Sequence, residues 1–120
     1  LQQPKKTAVG ASPLTFTANT SLPSEAYKIF GADGGVGESY GDTFRIQIIV
    51  NGSVSTIGTI PRKLGVDDYI QRLEGGLCIV HYATGEDFPA EFGYISIRQG
   101  SNEVRVGDAV QPSRMEIVYR

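Results

Sequence analysis

Apolar and polar residues alternate along most of this chain, and the alternation predicts short β-strands. The clearest stretch covers residues 43–60, where Phe44, Ile46 and Ile48 fall on one face and polar residues fall on the other. The Asn-Gly pair at residues 51–52 favours the positive φ angles of a type I′ turn. We therefore predict a β-hairpin over residues 43–60.

Similar short patterns occur on both sides of this hairpin. They are "PLTFTAN", "EAYKIF", "LCIVHYA", "EFGYISIRQ", "NEVRVGD" and "MEIVYR". The segment after Pro61 breaks the alternation, and "VDDYIQRL" has the spacing of two helical turns before Gly75-Gly76 end it. The pattern predicts one short helical excursion over residues 62–74.

This order of elements indicates an all-β fold. A parallel sheet needs repeated crossover helices, and the pattern offers at most one, so the strands are expected to be antiparallel. The choice between a sandwich and a barrel favours the sandwich at 120 residues. Residues 1–13 are polar and aperiodic and predict a linker or flexible arm, and residues 14–120 predict a single domain. Because the chain starts at Leu1, we expect it to belong to a longer protein.

Composition excludes two classes of partner. The net charge of −2 gives no basic footprint for nucleic acid. Membrane insertion is also excluded, because no apolar run approaches the roughly 18 residues that span a bilayer. The single cysteine, Cys78, is expected to be a buried structural thiol and does not decide the compartment.

Five glycines in "FGADGGVGESYGD", residues 30–42, come close to a dinucleotide-binding fingerprint. Such a fingerprint opens a helix whose N-terminus holds the pyrophosphate. Here Gly41-Asp42 leads directly into a predicted strand, so we interpret the segment as a turn.

Several of these positions resemble the immunoglobulin-like modules of large bacterial surface adhesins and toxins. The matching residues are Gly41, Asp42, Asn51, Gly52, Pro61, Gly75, Gly76 and Tyr82. The resemblance covers about residues 40–84; the chain lacks the tryptophan that those modules often carry, and its bridge after Pro61 is longer. It implies an immunoglobulin-like β-sandwich used for spacing, adhesion or recognition of a protein or glycan ligand. It also implies neighbouring modules in the same chain and an extracellular or cell-surface location.

Candidate catalytic chemistry depends on His81, the only histidine. Cys78 and His81 are three residues apart on a predicted strand, so they face opposite ways and do not share a metal. Asp67-Asp68 are expected to begin a helical turn, and Glu86-Asp87 to be solvated turn acids. We therefore predict a non-catalytic module without cofactor or metal; the alternative is a small hydrolase that uses His81 with a turn acid.

Two pairs of residues are predicted to contact a partner. Tyr69 and Arg72 would share an exposed face of the helical excursion, and Asp87 and Phe88 lie in the turn "GEDFP". Tyrosine and arginine are enriched at binding hot spots, and loops often carry recognition on β-scaffolds. The competing interpretation is that Tyr69 and Phe88 cover the ends of the sandwich. A carbohydrate-binding module that uses Tyr40, Tyr69 or Phe88 is the alternative binding function.

Overall fold

A computed structural model describes residues 3–120, and all of the regular structure in that range is β-strand. In chain order the strands are β1 (Lys6–Gly10), β2 (Leu14–Ala18), β3 (Tyr27–Phe30), β4 (Glu38–Tyr40), β5 (Thr43–Val50), β6 (Ser53–Ile60), β7 (Tyr69–Arg72), β8 (Cys78–His81), β9 (Asp87–Pro89), β10 (Gly100–Val106) and β11 (Met115–Tyr119).

Two antiparallel sheets contain these strands, which confirms the predicted all-β sandwich. The six-stranded sheet has the order β1-β11-β3-β7-β8-β9. The five-stranded sheet has the order β2-β10-β5-β4, and β6 also pairs with β5. The chain changes sheet at each step from β1 to β4, between β6 and β7, and at each step from β9 to β11. Neighbours in sequence therefore often lie in opposite layers.

One hydrophobic core lies between the two sheets. Strand alternation turns every second side chain inward, so both sheets contribute apolar residues to it. The six-stranded sheet supplies Ile29, Ile70, Val80, Met115 and Ile117, and the five-stranded sheet supplies Ile46, Ile48, Val50, Val104 and Val106. The other side of each sheet is left to solvent, and we call these two surfaces the outer faces.

The predicted hairpin over residues 43–60 is confirmed. Strands β5 and β6 pair from Phe44 opposite Ile60 to the two-residue turn, where Asn51 has φ 52° and Gly52 has φ 83°. The glycine-rich stretch is a turn in part: residues 31–37 form a loop, residues 38–40 form β4, and Gly41, with φ 61°, lies in the turn between β4 and β5.

The predicted helical excursion over residues 62–74 is wrong, because residues 3–120 contain no helix. Residues 69–72 form β7 instead, which is paired with β3 on one side and β8 on the other. Four residues are too few to distinguish helical from strand periodicity, and pairing with two neighbours decides the conformation. Asp68 does not begin a helix, since its carboxylate accepts hydrogen bonds from the backbone N–H of Gly65 (2.7 Å) and of Ala83 (2.8 Å).

The start and the end of the described chain lie side by side. Residues 1 and 2 of the predicted arm lie outside the described residues, but within the same segment residues 6–10 form β1. This strand pairs with β11 so that Lys6 is opposite Tyr119. The Arg120 Nη1 group also donates a hydrogen bond to the carbonyl of Gln3 at 2.7 Å. Both ends of the described chain therefore meet at one end of the sandwich.

Candidate binding surface

A row of side chains crosses the outer face of the six-stranded sheet. Phe30, Tyr69, His81 and Asp87 lie directly opposite one another on β3, β7, β8 and β9. Their neighbours along each strand point into the core, so these four point outward. Arg114, whose carbonyl accepts a hydrogen bond from the Phe30 N–H at 2.9 Å, extends the row at the β11 side. We call these five residues the ladder.

The three rings of the ladder are stacked on each other. Ring centroids are 4.9 Å apart between Phe30 and Tyr69 and 4.6 Å apart between Tyr69 and His81, with interplanar angles of 28° and 26°. Stacked cross-strand pairs of this kind stabilise a sheet by about 0.2–1 kcal/mol each. Because the ring faces cover one another, the ladder presents mainly ring edges to solvent.

Charged groups surround the stack. The Lys28 Nζ atom lies 5.6 Å from the Tyr69 ring centroid, and the Arg114 guanidinium lies 5.9 Å from that of Phe30. At the other end, His81 Nδ1 lies 2.9 Å from Asp87 Oδ1. The ladder therefore begins with a cation just before β11 and ends with an anion on β9.

Exposed aliphatic side chains continue this face beside the ladder. Val9 is 51% exposed, Leu73 is 42% exposed and Leu77 is 57% exposed. Leu73 also lines a shallow groove of about 210 Å³ with Lys28 and Gln71. The solvent side of an antiparallel sheet is ordinarily polar, so a face with rings and aliphatic groups is typical of an interaction surface.

Two of the predicted partner-contact residues, Tyr69 and Asp87, lie on the ladder. Arg72 does not join Tyr69 on one face, because residues three apart on a strand point in opposite directions. Its side chain is only 8% exposed and points inward. There its Nε atom donates to the carbonyl of Phe92 at 2.9 Å, and its Nη1 atom donates to the carbonyl of Glu25. Arg72 thus ties β7 to two other segments of the fold.

Phe88, the fourth predicted residue, is half-buried at the edge of the core. Its ring meets the ring of Tyr82 edge to face at 5.8 Å. The Arg62 guanidinium lies 4.2 Å from the Tyr82 ring centroid and 5.8 Å from that of Phe88. The Tyr82 hydroxyl donates to the carbonyl of Arg62 at 2.6 Å, and burial raises the pKa of this tyrosine. This cluster closes one end of the sandwich, which matches the competing interpretation for Phe88.

The geometry around His81 resembles part of a catalytic triad. His81 Nδ1 meets the Asp87 carboxylate, as in a triad, but Nε2 lies 3.0 Å from Oε1 of Gln71. An amide oxygen thus occupies the position that a nucleophilic hydroxyl or thiol takes in a triad. Cys78 points to the opposite side of the sheet, where burial raises the pKa of its thiol. Within residues 3–120, no three side chains of the metal-ligating types come together.

Tyr40, named for the carbohydrate alternative, lies on the other sheet. Its ring is 54% exposed, and the Arg45 guanidinium is 5.1 Å from the ring centroid. Both residues line an open groove of about 590 Å³ that also includes Ile57 and Glu91. Tyr40, Tyr69 and Phe88 therefore belong to three separate places and do not form one sugar platform.

The sequence-based prediction missed two residues of the ladder, Phe30 and Arg114, and their neighbour Lys28. Phe30 and Lys28 occur in "EAYKIF", which was interpreted only as a strand, and Arg114 lies just before the last strand. The signal in the sequence was an aromatic residue on the polar side of an alternating pattern. That signal becomes visible only when the pairing of β3 with β7 and of β7 with β8 is known.

No family model, curated protein or solved structure matches this chain. Among residues 3–120 there is also no helix that is long and apolar enough to cross a membrane. Inference about function therefore depends on the residues and geometry described above.

Proposed function

We propose that this chain is a non-catalytic binding module of a larger secreted or cell-surface protein, and that it recognises another protein through the outer face of its six-stranded sheet. The observation that carries the proposal is the ladder with its exposed aliphatic neighbours, Leu73 and Leu77. These side chains lie on the side of the sheet that the core does not use, and a partner would bury them.

Protein is a better ligand than glycan for this face. Sugar rings pack on exposed flat faces of aromatic rings, whereas the faces of Tyr69 are covered by Phe30 and His81. Aromatic and aliphatic groups rimmed by charges, such as Lys28 and Asp87, are typical of protein interfaces. The carbohydrate-binding alternative is supported by the exposed ring of Tyr40 beside its groove.

A finer fold class accompanies this proposal. The immunoglobulin-like class implied by the resemblance would place its strands as ABED and CFG. The observed order, β1-β11-β3-β7 over β2-β10-β5-β6, is closer to a double-sheet jelly roll. Jelly rolls occur in capsid, lectin and cupin domains, so this class does not by itself select a function.

A capture experiment with matched baits tests the proposed function. The baits are the wild-type module, Tyr69→Ser on the ladder and Val54→Ser on the outer face of the other sheet. We expect a protein that is retained by the wild type and by Val54→Ser and lost with Tyr69→Ser. That protein, once purified, should bind Tyr69→Ser at least about tenfold more weakly, as hot-spot truncation does. Circular dichroism confirms that each bait is folded.

Three results would contradict the proposal. A partner that binds all three baits equally would place the site elsewhere. Binding on a glycan array that is abolished by Tyr40→Ala would favour the carbohydrate-binding alternative. Activity on a panel of hydrolase substrates that is lost in His81→Ala would show that the module is catalytic.

A further inference from the structure

The ladder is antisymmetric about its centre. Arg114 lies at one end, immediately before β11, Asp87 lies at the other on β9, and Tyr69 lies midway on β7. Four strand spacings of about 4.8 Å separate the ends, so the opposite charges are about 19 Å apart. A surface with opposite charges at equal distances from its centre is complementary to a copy of itself.

Two twofold axes superimpose the ladders of two copies that are packed face to face. An axis along the ladder would place Arg114 over Arg114 of the second copy and Asp87 over Asp87, so that like charges oppose each other. An axis through Tyr69 parallel to the strands exchanges the two ends, so that Arg114 opposes Asp87 of the second copy at two equivalent places. The charge pattern therefore selects the axis parallel to the strands.

The same axis also matches the uncharged residues. Tyr69 meets Tyr69 of the second copy, and Phe30 lies over His81 of the second copy. Leu73 lies two rows from Tyr69 along the axis and meets Leu73 of the second copy, close to the exposed Leu77. In the row between them, Gln71 meets Gln71 and Lys28 lies over Ile79 of the second copy. The charges of Arg114 and Asp87 lie toward the rim of this face, as in known interfaces.

Both charged ends remain available for a second copy. Arg114 uses Nε and Nη2 on the Glu116 carboxylate and keeps other N–H donors. Asp87 uses Oδ1 for His81. The side chains of Arg114 and Asp87 are 53% and 58% exposed. Each can therefore form an ion pair with a second copy without giving up its present contact.

We propose that the protein partner of this face includes a second copy of the same chain, packed sheet to sheet about the axis through Tyr69. This inference rests on the proposed function in using the same surface. Six strands by three rows give a face of roughly 25 by 20 Å, less than the ~800 Å² per partner of a standard interface. The dimer is therefore weak and reversible.

Sedimentation velocity with charge-reversed variants tests this arrangement. The wild type is measured from about 5 to about 500 µM, a range suited to a small interface. We expect a concentration-dependent dimer. Arg114→Glu alone and Asp87→Arg alone should each weaken association at least about tenfold, because each places like charges opposite one another at both ends.

An equimolar mixture of the two variants is the decisive sample. In a mixed dimer the introduced glutamate faces the introduced arginine at one end, and the native Asp87 faces the native Arg114 at the other. We expect the mixture to recover the association of the wild type. Arg105→Glu, a charge reversal on the outer face of the other sheet, is the matched control and should associate as the wild type does.

Other outcomes overturn the inference. A wild type that stays monomeric at the highest concentration excludes the self-association. A dimer that is insensitive to both reversals, or two weakened variants that do not recover on mixing, excludes the twofold arrangement. If the dimer fails but a different protein is still captured in a Tyr69-dependent way, the proposed function stands and only the second copy is excluded.

Discussion

The outer faces of the two sheets differ although their inner faces are alike. The five-stranded sheet shows solvent mostly hydroxyl, amide and charged groups, with one exposed ring, Tyr40 on β4, and two exposed aliphatic residues on β6, Val54 and Ile57. Its polar outward residues are Thr15, Thr17, Arg45, Gln47, Thr59, Ser101, Glu103 and Arg105. The six-stranded sheet instead carries the ladder and a group of aliphatic side chains.

This difference shows which side chains are required for core packing and which are not. Both sheets fill the core with inward-facing isoleucine and valine, and that packing requires nothing of the outer faces. The stacked rings and exposed leucines on the outer face of the six-stranded sheet are therefore not required for packing the two sheets together. Exposed apolar side chains lie on both outer faces, and the six-stranded sheet differs in joining its rings into a stack across three neighbouring strands, which is the property expected of a recognition face.

The largest expected effects come from the inner faces and should be equal in the two sheets. Ile70 on β7 and Ile48 on β5 are both fully buried. We expect Ile70→Ala and Ile48→Ala each to lower the free energy of unfolding by about 2–5 kcal/mol, through lost burial and the cavity left behind. Urea denaturation measures both. A much smaller cost for Ile70→Ala would mean that the six-stranded sheet is not packed as described.

The next effect compares an inward-facing arginine on β7 with an outward-facing arginine on β10. Arg72→Ala removes hydrogen bonds to the carbonyls of Phe92 and Glu25, and we expect a loss of about 2–4 kcal/mol of stability. Arg105→Ala, on the outer face of the other sheet, should change stability by only about 0.5 kcal/mol. If Arg72→Ala instead leaves stability unchanged and abolishes partner binding, the original assignment of Arg72 as a contact residue is correct.

A third effect is the pH dependence of stability that comes from Tyr27 on the inward side of β3. Tyr27 points inward and donates to the carbonyl of Gly93 at 2.6 Å, and burial raises the pKa of its phenol well above the usual range. The unfolded chain loses this proton above about pH 10 whereas the native state keeps it. The contribution of Tyr27 to the free energy of unfolding is therefore fully present below about pH 10, and above that pH it falls by up to ~1.4 kcal/mol per pH unit.

Tyr27→Phe tests this pH dependence. We expect it to cost about 1–2 kcal/mol at neutral pH, because the carbonyl of Gly93 loses its partner. Above about pH 10 its stability should fall less steeply than that of the wild type. The stability of the variant should still fall with pH, although less steeply, because burial also raises the pKa values of Cys78 and Tyr82. Wild-type stability that stays flat to about pH 12 would contradict the burial of this phenol.

The fold could be predicted from the sequence wherever the local pattern was long. The alternation over residues 43–50, the Asn51-Gly52 turn and the β-rich run after it together predicted the hairpin of β5 and β6. The segment over residues 62–74 failed because "VDDYIQRL" contains only four strand residues, and their conformation depends on β3 and β8, which are distant in sequence. Strand β1 was missed for the same reason: its partner β11 is at the other end of the chain.

The candidate site could be predicted only in part. Tyr69 and Asp87 were named because of residue type and position near turns. Their connection through His81 requires the register of β7, β8 and β9, which no local pattern contains. Arg72 was assigned to the same face as Tyr69 because a helix was assumed, and the period of a strand reverses that assignment.

The smallest expected effects compare the two outer faces directly. Tyr69→Ser removes two stacked contacts, with Phe30 and with His81, and we expect a cost of about 1 kcal/mol. Val54→Ser on β6 removes a half-exposed side chain and should cost no more than about 0.5 kcal/mol. Urea denaturation of both variants, with unchanged m-values as evidence of a common unfolding transition, measures the difference.

The sign of this difference matters more than its size. If the ladder rings support one another across β3, β7 and β8, Tyr69→Ser is the costlier change, yet it stays far below the cost of Ile70→Ala, because the ring lies outside the core. A cost for Tyr69→Ser near that of Ile70→Ala would make the ring part of the core and would remove it as a contact residue. A cost below that of Val54→Ser would mean that the stack contributes nothing in the free module, and that its rings are held in place only when a partner covers them.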